Sequence, residues 1–230
     1  MLYFGKAFLQ GEGMKSKLNR GLCFDLDGTL INSGPGGLAQ LCKTAKNLNL
    51  PMGNEIETKL RAMWGQHPSN LIRTAWPDTD IEWFYKQWED LDIAEPFFDF
   101  PGTKEALEKL FHYFQLGILT SRNIRTAIPQ LEHNNLLSYF GFVLAADSSP
   151  FKKPHPKSID PILNWILKKD LIFVGDTVEG DWKLAQAVGI EFFAVLSGGM
   201  DNREKFLAAG VPEDHIIDSV ANLPSILIRN

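Results

Sequence analysis

Cysteine is scarce in this chain. Its 230 residues include two, Cys23 and Cys42, at a spacing that suits neither a disulfide framework nor a metal knuckle. That excludes a crosslinked secreted scaffold and leads to the expectation of a reducing compartment, the cytoplasm. Long hydrophobic runs are missing too. No stretch approaches the roughly 18 apolar residues of a membrane helix, so no membrane partner is expected. There is no excess of positive charge: 23 Lys and Arg stand against 28 Asp and Glu, for a net charge of −5. No basic patch stands out, and binding a phosphate backbone takes clustered cations, so nucleic acid is not expected as a partner. None of the five histidines sits at a metal-site spacing; His112, His133 and His215 read as ordinary helix or loop positions. Internal repeats and low-complexity tracts are absent.

The chain is 44% hydrophobic and long enough for one large domain or two small ones. Its first residues, "MLYFGKAFLQGEGMKSKLNRG", are too interrupted for a secretory signal. Met14 followed by a basic stretch marks the expected start of the fold, and residues 1–13 are set aside as an N-terminal extension that could be disordered.

From residue 99 onward, short apolar runs alternate with helical patterns. The candidate strands are 21–25, 116–120, 140–145, 171–175, 191–195 and 215–218. Their apolar residues are continuous rather than alternating, as expected for strands covered on both faces. Helices are expected over 103–114, with Leu107, Leu110, Phe111 and Phe114 on one face, over 158–168, with Ile162, Trp165 and Ile166, and over 181–188. This pattern predicts an α/β fold, a doubly wound, Rossmann-like parallel sheet whose ligands sit at the carboxyl ends of the strands. Residues 33–98 break the alternation and read as helices near 36–48, 54–64, 68–75 and 80–93, the last with Thr79 and Glu82 at capping-box spacing. The expected division is therefore a core of 14–32 and 99–230 with a helical insertion of 33–98. Trp64, Trp76, Trp83 and Trp88 lie in the insertion, where they either build its core or contact a substrate or partner.

Polar residues gather where the strands end. Asp25 closes the first strand and Asp27 follows on the loop; Thr120 and Ser121 end the second; "FKKPHP" brings Lys153; "FVGDTVEGD" ends the fourth with Asp176 and Asp181. Such a set of carboxylates would repel itself and raise its own pKa values. A hard divalent cation removes the conflict, and Mg²⁺ suits a few carboxylates beside open positions. One carboxylate can then attack while another moves protons.

"DLDGTL" at 25–30, "ILTS" at 118–121, "KPHP" at 153–156 and "GDTVEGD" at 175–181 resemble, in order, the four motifs of the haloacid dehalogenase (HAD) superfamily. "FPGTKEAL" at 100–107 is similar to that family's re-entry from a small helical cap. The resemblance implies a HAD-like hydrolase of the phosphoglycolate phosphatase or β-phosphoglucomutase subgroup, with the insertion as cap domain. Asp25 would be the nucleophile that becomes an aspartyl phosphate, and Asp27 the acid-base residue. Mg²⁺ would be held by the side chains of Asp25 and Asp176 and the backbone carbonyl of Asp27, with Asp181 ordering its waters or ligating directly. Thr120 and Lys153 would complete the catalytic set. Gly28, Thr120, Ser121, Arg122 and Lys153 would bind substrate in the core, and Gly65, Gln66 and His67 from a cap loop. For the loop at 64–70, a plain helix-helix turn is the other reading.

Two departures from the family pattern stand out. Four residues separate Asp176 from Asp181 where many members have three, and position 32 is Asn where many have Asp. The expected activity is a Mg²⁺-dependent phosphatase for a small phosphorylated metabolite, with the cap closing over bound substrate. A phosphotransferase of the β-phosphoglucomutase type and a non-catalytic module on the same fold stay open. Dehalogenation is disfavoured by Asp27, and phosphonate hydrolysis by the lack of an identifiable cap lysine. A monomer is the simplest state, with a homodimer as the alternative.

Overall fold

A computed structural model describes residues 3–4, 19–64, 68–164 and 166–228. The chain forms two compact units, Met1–Asn32 with Phe98–Asn230, and Ser33–Phe97. The second is helical: α1 (Gly34–Asn47), α2 (Asn54–Met63), α3 (Pro68–Ala75) and α4 (Ile81–Ala94). Pro35 opens α1, where its missing N–H costs nothing. The cap of α4 is Asp80, whose carboxylate accepts from the Trp83 N–H at 3.1 Å, one residue beyond the expected Thr79. The unit has its own apolar core of Leu41, Ala45, Leu60, Leu71, Ile72, Trp76 and Phe84. Trp76 stacks on Phe84 at 5.5 Å and donates its indole N–H to the Pro51 carbonyl at 2.8 Å. Trp64 and Trp88 pack against this core, while Trp83 is exposed.

The first unit is built on a seven-stranded sheet: β1 (Tyr3–Phe4), β2 (Gly21–Phe24), β3 (Gln115–Leu119), β4 (Phe142–Leu144), β5 (Leu171–Gly175), β6 (Glu191–Val195) and β7 (Ile216–Ile217). The spatial order is β1-β4-β3-β2-β5-β6-β7; β1 pairs antiparallel with β4, and every other pair is parallel. The α/β fold expected from the alternation is therefore present. Tyr3 and Phe4, set aside with residues 1–13, pair with Val143 and Phe142. Among the described residues, no helix is long and apolar enough to cross a membrane.

Successive side chains of a strand point to opposite faces. Leu22 and Phe24 join one core with Ala106, Leu107 and Leu110 of α5 (Thr103–Leu110) and Ala127 and Leu131 of α6 (Ile124–His133). Cys23 between them joins the other, with Ile162 of α7 (Asp160–Leu163), Leu184, Ala185 and Val188 of α8 (Lys183–Val188) and Phe206 of α9 (Arg203–Ala208). Leu223, which opens the last helix, α10 (Leu223–Leu227), returns to the first face. Both faces are covered, which is why the strands read as unbroken apolar runs. Burial pushes the Cys23 thiol up, so this cysteine stays a protonated core residue.

Two helices are shorter than their periodicity suggests. α5 stops at Leu110, so Phe111 turns outward while Phe114 remains buried. The segment expected as 158–168 is a 3₁₀ turn followed by the single turn α7, with Ile162 and Ile166 buried and Trp165 outside the described residues.

Candidate active site

β2 lies at the centre of the sheet, with β3 on one side and β5 on the other. The chain fills one side through β3 and β4, then crosses to the other at β5. A crevice at the carboxyl ends of the strands is expected at such a switch. Phe24 is level with Ile118 and Val174, so Asp25, Thr120 and Asp176 leave the sheet at one edge. The ladder continues past the strand ends: the Asp25 N–H donates to the Val174 carbonyl at 2.8 Å, and the Thr120 N–H to the Leu144 carbonyl at 3.0 Å. Two key backbones are thus fixed by sheet hydrogen bonds rather than by loops.

Lys153 reaches this edge from the segment after β4. Its ammonium donates to Asp25 Oδ1 and to Asp181 Oδ1, both at 2.7 Å, and its side chain is only 5% exposed. Carboxylate oxygens of Asp25, Asp176 and Asp181, all buried, lie within 4.8 Å of one another. Burial pushes the Asp25 carboxyl up, and Asp181 adds to this while Lys153 opposes it, leaving a value of about 7. Burial, with Asp181 and Asp25 beside it, drives Asp176 well above the usual carboxylate range. Burial alone would lower Lys153, but Asp181 and Asp25 outweigh it and hold the ammonium charged.

With all three ionised, the carboxylates would leave two negative charges uncompensated by the one ammonium, and a buried excess of charge is costly. Asp176 Oδ2 is the sharpest sign of what is needed, because it is buried with no hydrogen-bond partner. A Cβ on Gly28, which has φ +74°, would collide with that oxygen. The absence of a side chain there lets the Asp25–Gly28 loop and Asp176 approach each other closely. An oxygen-only donor set with two excess charges and an orphaned carboxylate oxygen fits a hard divalent cation such as Mg²⁺.

The four-residue interval between Asp176 and Asp181 is taken up by a π-helical turn, Val178–Trp182, that leads into α8. The N–H groups of both Asp181 and Trp182 reach the Thr177 carbonyl at 3.1 Å. Such a turn absorbs an extra residue without losing the helix that follows. It brings Asp181 back against Gly175, and the backbone N–H and hydroxyl of Thr177 donate to Asp181 Oδ2 at 3.0 and 2.7 Å. Asp181 therefore bears protein hydrogen bonds on both oxygens, whereas one oxygen of Asp176 has none.

Asp27 stands outside the carboxylate cluster. Arg122 holds it in a two-point ion pair, Nε to Oδ2 at 2.7 Å and Nη2 to Oδ1 at 2.8 Å. The Arg122 N–H also donates to Thr120 Oγ1 at 3.1 Å, which leaves the buried hydroxyl its own proton to donate. Asp25, Gly28, Asp176, Asp181 and Lys153 thus form one connected group, and Asp27, Arg122 and Thr120 a second, with Ser121 exposed next to it. Gly65, Gln66 and His67 lie outside the described residues. Several contacting residues escaped the sequence reading: Thr177, and three from the loop after β6, namely Ser197, Gly198 and Asp201. The available signal was "SGG" just after a strand that ends on the same edge of the sheet as the acid cluster.

Residues 22–195 match the family model described as haloacid dehalogenase-like hydrolase. The phosphoglycolate phosphatase of Nitrosococcus oceani is 26% identical over 226 residues, covering 90% of this chain and 95% of that protein. The crystal structure of a predicted phosphoglycolate phosphatase from Haemophilus somnus superposes with a TM-score of 0.75 at 22% identity, over 94% of this chain and all of that one. A magnesium-bound structure of the HAD-hydrolase type from Bacillus subtilis gives 0.72 at 17% identity, over 92% and 99%. At these identities the two structures speak for the fold alone.

Proposed function

The chain belongs to the haloacid dehalogenase-like hydrolase family, and from that premise we propose that it is a Mg²⁺-dependent phosphatase acting on a small phosphorylated metabolite in the cytoplasm. The observation that carries this reading is the trio of Asp25, Asp176 and Asp181 around Lys153, with one carboxylate oxygen left unsatisfied. The name of the Nitrosococcus oceani relative supports phosphoglycolate, or a metabolite of similar size and charge, as substrate.

Asp25 and Asp176 would hold the metal with the backbone carbonyl of Asp27, and Asp181, held on both oxygens by Lys153 and Thr177, would order the waters around it or ligate it directly. When bound, Mg²⁺ neutralises the cluster and supplies positive charge to phosphoryl oxygens. Asp25 attacks phosphorus; its new O–P bond forms as the bond to the leaving oxygen breaks. Asp27, protonated at the start of the cycle, gives that oxygen its proton, then regains one from the water that attacks the aspartyl phosphate, releasing inorganic phosphate and restoring the Asp25 carboxylate. Thr120 donates its hydroxyl proton to a phosphoryl oxygen, and Lys153 favours the ionised form of Asp25 against its burial.

The test is steady-state hydrolysis of an aryl phosphate with and without Mg²⁺, then a panel of phosphorylated metabolites ranked by kcat/KM. Mg²⁺-dependent turnover with a preference for small anionic phosphates is the expected result. Metal-independent turnover, or none toward any phosphomonoester, would sink the reading.

A further inference from the structure

The loop between β6 and α9, residues 196–202, carries none of the four motifs, yet three of its residues touch the two loops that bear the acid cluster. Ser197 Oγ donates to the Gly28 carbonyl at 3.1 Å. Gly198 lies where a Cβ would collide with Asp176 Oδ2 and would stand 2.6 Å from Gly28 Cα and 2.7 Å from its carbonyl oxygen. Asp201, buried, accepts from the Val178 N–H at 2.6 Å, at the first residue of the π-helical turn. Its other oxygen pairs with Lys205 of α9, and Asn202 caps that helix by accepting from the Lys205 N–H at 3.0 Å.

We propose that this loop is a positioning element for the metal: Gly198 sets how closely Asp176 approaches the Asp25–Gly28 loop, and Asp201 fixes the start of the turn that returns Asp181 to the cluster. The inference rests on reading the acid cluster as a metal site. Asp176 Oδ2 has no hydrogen bond to orient it, so its position is set by the walls around it, Gly28 and Gly198. A methyl group on Gly198 displaces this oxygen, which no hydrogen bond holds in place. Asp201 acts at the other end of the same loop, where a charged acceptor on a backbone N–H makes a short, strong hydrogen bond. Neither Gly198 nor Asp201 contributes a side chain to the hydrophobic cores, so metal affinity should respond more than the metal-free fold.

Mg²⁺ is titrated calorimetrically into the metal-free protein and its Gly198→Ala, Asp201→Ala and Asp201→Asn variants, with Tm measured for each in EDTA. Gly198→Ala and Asp201→Ala are expected to weaken Mg²⁺ binding about 10–100-fold, the range for residues that orient metal ligands. Asp201→Asn, which keeps an oxygen acceptor for Val178, should lose less. The EDTA Tm should fall by no more than about 5 °C. Wild-type affinity in both alanine variants overturns the proposal, as does a fall in Tm with affinity intact. Should Gly198→Ala fail to fold, the Asp201 pair decides, and equal affinity in Asp201→Ala, Asp201→Asn and wild type overturns it. A wild-type protein that takes up no Mg²⁺ overturns the phosphatase reading itself, a different outcome from normal uptake that the variants leave unchanged.

Discussion

Asp25 and Asp27 lie two residues apart and occupy opposite environments. Asp25 is buried, shares a buried ammonium with Asp181, and like Asp176 has its carboxyl pushed upward by burial and by neighbouring carboxylates. The Asp27 side chain is 36% exposed and is held by Arg122 in a flat two-point pair. The first environment needs a cation to balance it and keeps a carboxylate close to others in a dry space. The second tolerates a carboxylate at ordinary cost and leaves it in contact with water. One strand end therefore supplies both groups that the proposed mechanism needs, a buried carboxylate to attack and a solvated one to exchange protons.

The strongest test of that inequality is substitution by the isosteric amide. Asp25→Asn removes the proposed nucleophile and should lower kcat by about 10⁴-fold or more. Asp27→Asn removes proton transfer only, and should cost about 10²–10⁴-fold in kcat. Single-turnover trapping of phosphorylated enzyme separates them: Asp27→Asn still labels with an activated aryl phosphate, whose leaving group needs no proton, and Asp25→Asn does not. Equal labelling of the two variants breaks the comparison.

Lys153→Met attacks the buried half. Removing one partner of a buried, paired set costs about 3–5 kcal/mol of stability near neutral pH, read from chemical denaturation. The pH dependence follows from Asp25. Its folded value of about 7 lies above the ordinary 3.8, so the folded state binds the proton more tightly than the unfolded one. That contribution to stability is complete below about pH 4 and is lost as pH rises toward 7. Metal competes with the same proton, so the rise in Tm produced by Mg²⁺ should grow between about pH 5 and about pH 8. A Mg²⁺ effect on Tm that stays flat across this range contradicts the assignment of Asp25 to the cluster.

Much of this was legible in the chain because sheet physics is local. Strands buried on both faces leave continuous apolar runs, and an aspartate or threonine at the end of such a run stands out. That marks Asp25, Thr120 and Asp176 without knowledge of their neighbours. What escaped depends on distant or subtle partners. The Arg122–Asp27 pair spans 95 residues, and Asp201 reaches Val178 across 23, with no periodicity to announce either. Two residues, Tyr3 and Phe4, are too few to show a strand pattern. Phe111 fits a helical stripe yet lies past the end of α5, because periodicity says nothing of where a helix stops. The extra residue before Asp181 was visible, but the π-helical turn that absorbs it was not.

The smallest expected effect concerns Arg122. Its ion pair with Asp27 is partly solvated, with side chains 15% and 36% exposed, so Arg122→Met should change stability by no more than about 1 kcal/mol, against several for Lys153→Met. Its effect on turnover should be modest and should pass through Asp27, whose two oxygens it aims. In a double-mutant cycle, Arg122→Met lowers kcat about tenfold alone and changes little once Asp27 is Asn, since non-additivity marks residues acting through one another. Full additivity would show instead that Arg122 contacts the substrate independently of Asp27, and the two environments at the end of β2 would then share a common binding role.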